Sequence, residues 1–474
     1  MTRPYLNRAN HFALSFFILI TLGLSASVHA QGMTIQAEKE IGEQMMISVR
    51  QQFKLFNDPD LTRYMNRLGA EVQKAADSPY FDLRVFIVDD KEFNAFAAPS
   101  GLIFIHSGLI NSIESEDELM SVLAHEGAHV ASRHLASRIE KSTKVNIGTV
   151  ALVLAGIAVG GGPLSEALIA GSMAAGTAMN LKFSRDDEEE ADRLAYDWMK
   201  KMGRDTTAML EMMRKMRRIS VMQMGHVPPY LLTHPDPAQR MNYIQDLLQI
   251  NPDPNARGNG AKTMTDFEFQ RFSYRILTLS KEPDKLFTIL QKKASSPDPK
   301  DFMARFGLAE LYQKKGNFKE AETLLGEVIT RYPEHPMLKT DLGICYLQAG
   351  KKDEAAKIIQ ESNSQDTNNE YTQYQLARVL LQKGDQAQAI TLLENLLPKL
   401  PEFSRIHYLL GQAQAAQGET TLSHYHIGMQ NWLEGNLKAA AIHLQEAGTN
   451  LPIDDSHQKN IREILSKIKK AERQ

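Results

Sequence analysis

The chain has 474 residues, of which 43% are hydrophobic and 23% are charged, and its formal net charge at pH 7 is −3. Such a length exceeds what one compact core can hold, so two or three domains are expected, and the near-neutral charge argues against nucleic-acid binding. The single cysteine, Cys345, excludes an internal disulfide and every multi-cysteine metal site, so a metal site here would have to use His, Asp and Glu side chains.

The first 30 residues have the pattern of a cleavable export signal. Arg3 and Arg8 precede an apolar run at 12–24, and small residues then lead to Ala30. A basic start, a short apolar run and a small-residue cleavage site are typical of a signal peptide. We therefore expect residues 1–30 to direct export to a bacterial periplasm, with association with the outer membrane as an option. The alternative is an uncleaved membrane anchor.

The pattern that follows mixes helices with short strands. Helical periodicity covers 35–53, and β-type runs lie at 83–88 and 102–105. These elements predict an α+β domain over residues 31–250, with a small sheet.

Turn-forming residues then predict a linker at 251–263, and the remainder of the chain has helical patterns only. The predicted fold is therefore mainly α, with an all-α domain at 264–474 after the α+β domain.

The C-terminal part contains an internal repeat of 34 residues. Glycines recur at this interval, and eight residues before each stands a leucine followed by Ala or Gly. The repeated glycines are Gly316, Gly350, Gly384 and Gly418. Because glycine ends one helix and small residues let the next pack closely, the pattern resembles the tetratricopeptide repeat. The resemblance implies a solenoid whose groove binds peptides or partner proteins; the alternative is a purely structural extension.

The sequence His125-Glu126-Gly127-Ala128-His129 is an HExxH pattern in an apolar stretch that favours a helix. Residues four apart lie on one side of a helix, so both imidazoles can reach one metal ion. Zinc accepts such ligands, and a glutamate on the same half of the helix can take a proton from water. The alternative is a pair of surface histidines on an amphipathic helix.

A catalytic zinc needs a third protein ligand, and an acidic run about 60 residues further on offers candidates. Glu188 and Asp192 stand four residues apart and share one helix face. One carboxylate can bind the metal while the other orients a ligating imidazole. The alternative is a solvated acidic helix face.

Together these motifs resemble the zinc metalloprotease family of the CAAX prenyl protease and the membrane heat-shock protease. The resemblance rests on the HExxH pattern, on Ser184-Arg185-x-x-Glu188-x-x-Ala191-Asp192, and on the upstream segment 94–101. It extends to Thr233-His234-Pro235 with Arg240 six residues after His234. One departure is Gly127, where the family usually has a branched apolar residue; a glycine inside a helix weakens it by roughly 1 kcal/mol.

The resemblance implies roles for seven side chains. His125, His129 and Glu188 would bind one zinc ion, and Glu126 would be the general base. Asp192 would support the ligands from behind, and His234 and Arg240 would approach the active site. These last two would stabilise an oxyanion, or His234 would be a displaceable fourth ligand that keeps the enzyme inactive.

The whole chain resembles a periplasmic group of this family that carries tetratricopeptide repeats. The resemblance implies a zinc endopeptidase that degrades unfolded or misassembled outer-membrane proteins and contacts the barrel assembly machinery through the repeat groove. The alternative is a chaperone or scaffold for outer-membrane protein assembly that works mainly without proteolysis. No nucleic-acid partner is expected.

An apolar segment separates the two parts of the expected metal site. Residues 145–181 contain one charged side chain, Glu166. His125 and Glu188 must meet at one metal, so the chain between them crosses a bilayer either twice or not at all, and its second apolar run is too short to span. We expect a helical hairpin that forms a lid or touches a membrane surface, with a buried core hairpin as the alternative.

Overall fold

The computed structural model describes residues 33–77, 80–141, 156, 182–222, 230–234, 237–250 and 265–472. The expected signal peptide, the linker at 251–263 and, apart from residue 156, the apolar segment 145–181 lie outside these residues. In the parts of the chain so described, no helix has both the length and the apolar character needed to cross a membrane.

The N-terminal part consists of helices around one small sheet. Its helices are α1 (Ile35–Gln52), α2 (Pro59–Ala76), α3 (Ser107–Ile110), α4 (Glu116–Ala131), α5 (His134–Lys141), α6 (Arg185–Lys201), α7 (Thr207–Met222), α8 (Tyr230–Thr233) and α9 (Pro237–Ile250). Its strands are β1 (Arg84–Val88), β2 (Ala95–Ala98) and β3 (Leu102–His106). The helix expected at 35–53 and the strands expected at 83–88 and 102–105 are confirmed.

The sheet is buried on both faces, which explains why β3 is a continuous apolar run. Its order is β1-β3-β2, with β1 parallel and β2 antiparallel to β3. Phe86, Phe96 and Phe104 stack on the face that packs with α1. Ile103 and Ile105 point to the other face, into the core that α2, α4 and α6 share. The sheet therefore fixes α4, which carries the HExxH pattern.

Gly127 has a packing role in this core. A Cβ atom at this position would stand 3.1 Å from Val72 Cγ1 and 3.3 Å from Leu83 Cδ1, tighter than ordinary van der Waals contact. The ring of Trp198, on α6, lies at 3.5 Å. The glycine thus lets α2 and α6 approach the motif helix closely, which offsets its weaker helix propensity.

The C-terminal part is a solenoid of antiparallel helices, as the 34-residue period predicts. Its helices are α10 (Thr265–Ser280), α11 (Pro283–Ala294), α12 (Ala304–Lys314), α13 (Phe318–Arg331), α14 (Met337–Gln348), α15 (Lys352–Gln365), α16 (Glu370–Lys383), α17 (Gln386–Leu396), α18 (Ser404–Ala416), α19 (Thr420–Leu433), α20 (Leu437–Asn450) and α21 (His457–Ala471). The four repeated glycines all have a positive φ, between 77° and 88°, where a side chain would strain the turn. Cys345 is buried in the repeat core.

The solenoid packs against the N-terminal part through buried ion pairs. Arg271, on α10, is only 3% exposed at its side chain, pairs with Asp60 of α2, and lies 2.8 Å from Asp341 of α14. Further along the solenoid, Arg50 pairs with Glu402. These contacts hold the two parts in one arrangement.

We expect Arg271→Ala to lower the free energy of unfolding by about 3–5 kcal/mol, because it leaves two buried carboxylates without their shared cation. Urea denaturation measures this change. Arg305→Ala is the control, since Arg305 pairs with Glu327 near the surface and such a pair contributes about 1 kcal/mol or less. Equal effects from both variants would contradict the assigned role of Arg271.

Candidate metal centre and active site

The motif helix α4 presents His125 and His129 to one side. It begins at Ser115, whose hydroxyl accepts a hydrogen bond from the Glu118 amide, and three acidic residues in its first turn suit the helix dipole. Both histidines are buried, and their Nε2 atoms lie 3.1 Å apart. This places two imidazole nitrogens at one point, as the spacing predicted.

Helix α6 brings a carboxylate to the same point. Ser184 and Asp187 form a capping box that fixes the start of this helix. In the first turn of this helix, Glu188 is 1% exposed, with Oε2 3.5 Å from His125 Nε2 and Oε1 3.7 Å from His129 Nε2. The acidic run is therefore not a uniformly solvated face, because Glu188 and Asp192 point inward.

His234 completes the cluster from the end of α8. Its Nδ1 lies 2.7 Å from Glu188 Oε1, and its ring stacks on that of Tyr230 at 4.2 Å between centroids. One ligand atom from each of His125, His129, Glu188 and His234 lies within 4.8 Å of the others. Among the residues that the structure describes, this is the one group of three or more His, Cys, Asp or Glu side chains placed to hold a metal ion.

The donor set fits a zinc-type ion. Tetrahedral ligands at about 2.1 Å from a metal stand about 3.4 Å from one another. The separations of 3.1, 3.5 and 3.7 Å among His125, His129 and Glu188 are close to that value. Two imidazoles and one carboxylate are ligands that zinc commonly takes in catalytic sites.

Asp192 and Arg240 lie directly behind the cluster. Asp192 Oδ1 is 3.0 Å from His125 Nδ1, so this carboxylate can fix the ring orientation and leave Nε2 toward the cluster. The Arg240 guanidinium lies 2.6 Å from both Asp192 Oδ1 and Glu188 Oε2, and it donates to the Tyr230 hydroxyl at 3.1 Å. Arg240 therefore joins the two carboxylates of α6 and holds them in place.

The charges of these groups are set by one another. Burial and Arg240 oppose protonation of His125, but hydrogen bonds to Asp192 and Glu188 raise its pKa to about 9. Burial and the neighbouring His125 hold the pKa of His129 well below its usual value, so its lone pairs are available. Burial raises the pKa of Glu188, yet His234 and Arg240 outweigh burial and keep that pKa well below its usual value. The cluster thus combines an ionised carboxylate with a neutral imidazole, which suits a cation.

Glu126 is the chemically available carboxylate of the site. Its side chain is fully buried, and neither oxygen has a hydrogen-bond partner among the described residues. Oε1 lies 3.6 Å from His234 Nε2. A buried carboxylate without a hydrogen-bond partner is costly for stability, which points to a chemical role for Glu126.

Several neighbours of the site had no signal in the sequence. Phe183 stacks on His129 at 3.9 Å, and His134 Nδ1 lies 2.8 Å from His129 Nδ1. Tyr230 stacks on His234 and contacts Arg240. A methionine face of α7 lines a small cavity of about 10 Å³ beside His125 and Glu126: Met209, Met212, Met213 and Met216. That volume is about the space of one water molecule.

Comparison with known proteins agrees with this geometry. Residues 59–248 match the profile of peptidase family M48, and residues 306–368 and 353–413 match tetratricopeptide-repeat profiles. The beta-barrel assembly-enhancing protease of Yersinia pestis is 29% identical over 417 residues, which cover 85% of this chain and 81% of the relative. The protein of the same name from Escherichia coli is 28% identical over 420 residues, with 85% and 82% covered.

A shorter relative matches about a third of the chain. The metalloprotease LoiP of Escherichia coli is 30% identical over 163 residues, which cover 34% of this chain and 61% of LoiP. Residues 59–248 contain the cluster of His125, His129, Glu188 and His234, and the repeats follow them. The chain is therefore a metalloprotease with a peptidase family M48 domain at residues 59–248 and tetratricopeptide repeats after it.

Proposed function

We propose that the protein is a periplasmic zinc endopeptidase that removes misfolded or stalled outer-membrane β-barrel proteins, with its repeats holding these substrates or the assembly machinery. Similarity over 85% of the chain to proteases named for beta-barrel assembly supports the substrate class. The expected signal peptide at 1–30 supports the location. One observation carries the enzymatic part: the unpartnered carboxylate of Glu126 beside His125, His129 and Glu188.

His125, His129 and Glu188 are the proposed zinc ligands. When bound there, zinc supplies a Lewis acid that polarises the scissile carbonyl and makes water more acidic. Glu126 takes the proton of the attacking water and passes it to the leaving amine, a role for which its free oxygens suit it. Asp192 orients His125, and Arg240 positions the carboxylates of Glu188 and Asp192. The guanidinium of Arg240 is paired with these two carboxylates. Its expected role in stabilising an oxyanion stays a prediction.

Strand β2 is the proposed binding edge for an extended substrate peptide. It is an edge strand that packs against α4 and α8, and within the described residues no strand pairs with its outer side. An extended peptide can add to such an edge by main-chain hydrogen bonds. This would align the peptide along the helix that carries Glu126.

His234 is the proposed inhibitory ligand. Its ring stands in one cluster with His125, His129 and Glu188, where a fourth ligand would occupy the position that a catalytic water needs. This position favours the second of the two alternatives left by the sequence, a displaceable ligand, over a catalytic role.

We therefore expect His234→Ala to raise the peptidase rate of the full chain several-fold, because it opens a coordination position. The rate of cleavage of an unfolded protein substrate measures this. Tyr230→Phe is the comparison variant. It keeps the ring stacked on His234 and removes only the hydroxyl contact to Arg240. Loss of activity in His234→Ala would instead assign His234 a catalytic role.

The substrate class is tested by competition. The chain is incubated with an unfolded outer-membrane β-barrel protein, the same protein folded in detergent, and an unfolded soluble protein of similar size. The proposal predicts that the unfolded barrel protein is cleaved fastest. Equal cleavage of both unfolded proteins would contradict the proposed substrate class and indicate a general endopeptidase.

A further inference from the structure

The solenoid has a polar groove where it meets the N-terminal part. The groove has a volume of about 580 Å³ and is formed by α14, α16 and α18, the first helices of three successive repeats. Its far wall is the segment 57–59, at the start of α2. An occupant of this groove would therefore touch the repeats and the protease part at once.

The lining side chains recur at the repeat interval. Gln348 and Gln382 stand 34 residues apart, as do Tyr374 and Tyr408 and also Arg378 and Gln412. Gln348, Gln382 and Gln412 are exposed. Amide groups can both donate to and accept from a peptide main chain, so their spacing along the solenoid suits an extended chain.

Two cations in the groove have no carboxylate partner. Arg378 donates to Gln375 Oε1 at 2.6 Å and forms no ion pair within the described part of the chain. Arg405 is exposed and likewise forms no ion pair there. Arg378 and Arg405 line the groove together with Tyr374.

The acidic groups near the groove are already engaged. Asp58 is the single carboxylate in the lining, and it lies 2.8 Å from Arg275. Glu310 and Asp341 lie outside the lining and also contact Arg275. The guanidinium groups of Arg378 and Arg405 therefore remain for a ligand, and guanidinium pairs well with carboxylates.

We propose that this groove binds an extended peptide segment with acidic side chains, the two arginines pairing with its carboxylates and the glutamines with its main chain. The inference specifies the partner chemistry of the repeats and rests on the proposed function to that extent. Binding there would contact Asp58, which caps α2 through the amides of Asp60 and Leu61. Because α2 packs on the motif helix α4, the groove is also connected mechanically to the active site.

Fluorescence anisotropy on the full chain tests this proposal. The probes are a labelled peptide with glutamates in an apolar background, its glutamine counterpart and its lysine counterpart. The protein carries Glu126→Gln, so that hydrolysis does not interfere. We expect the acidic peptide to bind at least about tenfold more tightly than either counterpart, and Arg378→Gln/Arg405→Gln to remove that preference.

Two further variants make the result decisive. Arg405→Gln alone changes an exposed side chain and is expected to retain the fold and lose part of the preference. Arg462→Gln, an exposed arginine on α21 outside the groove, is expected to change nothing. Equal binding of all three peptides, or an equal effect of Arg462→Gln, would overturn the proposal. A failure here would leave the peptidase proposal standing, since that is measured by cleavage.

Discussion

Glu126→Gln is expected to lower the peptidase rate by at least about 100-fold, because the amide cannot accept the proton of the attacking water. The size of the side chain is unchanged, and His125, His129 and Glu188 keep their positions. Zinc content should therefore remain at the wild-type value. Cleavage of an unfolded barrel protein and metal analysis of the purified chain measure the two quantities.

Glu189→Gln is the matched control, since Glu189 is an exposed carboxylate on α6 beside the cluster. It should retain wild-type activity. If Glu126→Gln retains activity, Glu126 is not the general base and the proposed mechanism is wrong. Full replacement of the wild-type chain by this variant in cells would favour the scaffold alternative, in which binding without proteolysis suffices.

Arg240→Ala is expected to lower the free energy of unfolding by about 3–5 kcal/mol, because two buried carboxylates lose their shared cation. Asp192 is fully buried and Glu188 is 1% exposed, so water cannot take the place of the guanidinium. Burial raises the pKa of Asp192, but Arg240 and His125 outweigh it and hold that pKa below its usual value. The variant should also bind zinc less tightly, since both carboxylates lose their fixed orientation.

Two comparisons isolate this effect. Arg240→Lys keeps the charge but cannot contact both carboxylates with one planar fork, so it should recover only part of the stability. Arg193→Ala removes an exposed arginine of α6 and should leave stability within about 0.5 kcal/mol of the wild type. A small effect from Arg240→Ala in urea denaturation would show that the carboxylates do not depend on it.

The sequence predicted those features that local geometry determines. The spacing of His125 and His129 requires only a helix, and the repeated glycines require only turns with a positive φ. The predicted fold class and repeats, which also depend on local patterns, are confirmed. The four-residue spacing of Glu188 and Asp192 predicts one shared helix face, and both side chains of α6 are buried.

Features that depend on packing between distant segments were not predictable. Phe183 against His129 and the methionine face of α7 join elements far apart in the chain, and apolar residues there have no distinguishing pattern. The same holds for Arg271, whose partners come from α2 and α14. A single sequence does not show which arginine meets which carboxylate.

In the proposed mechanism, a zinc ion held by His125, His129 and Glu188 drives peptide cleavage. The most direct measurement follows cleavage of an unfolded outer-membrane barrel protein by the full chain, first with a chelator and then after zinc is added back. We predict that the chelator stops cleavage and that about one zinc per chain restores it, with no restoration in His129→Ala. Cleavage that continues in the chelator, or that zinc restores equally in His129→Ala, would contradict the assigned metal centre.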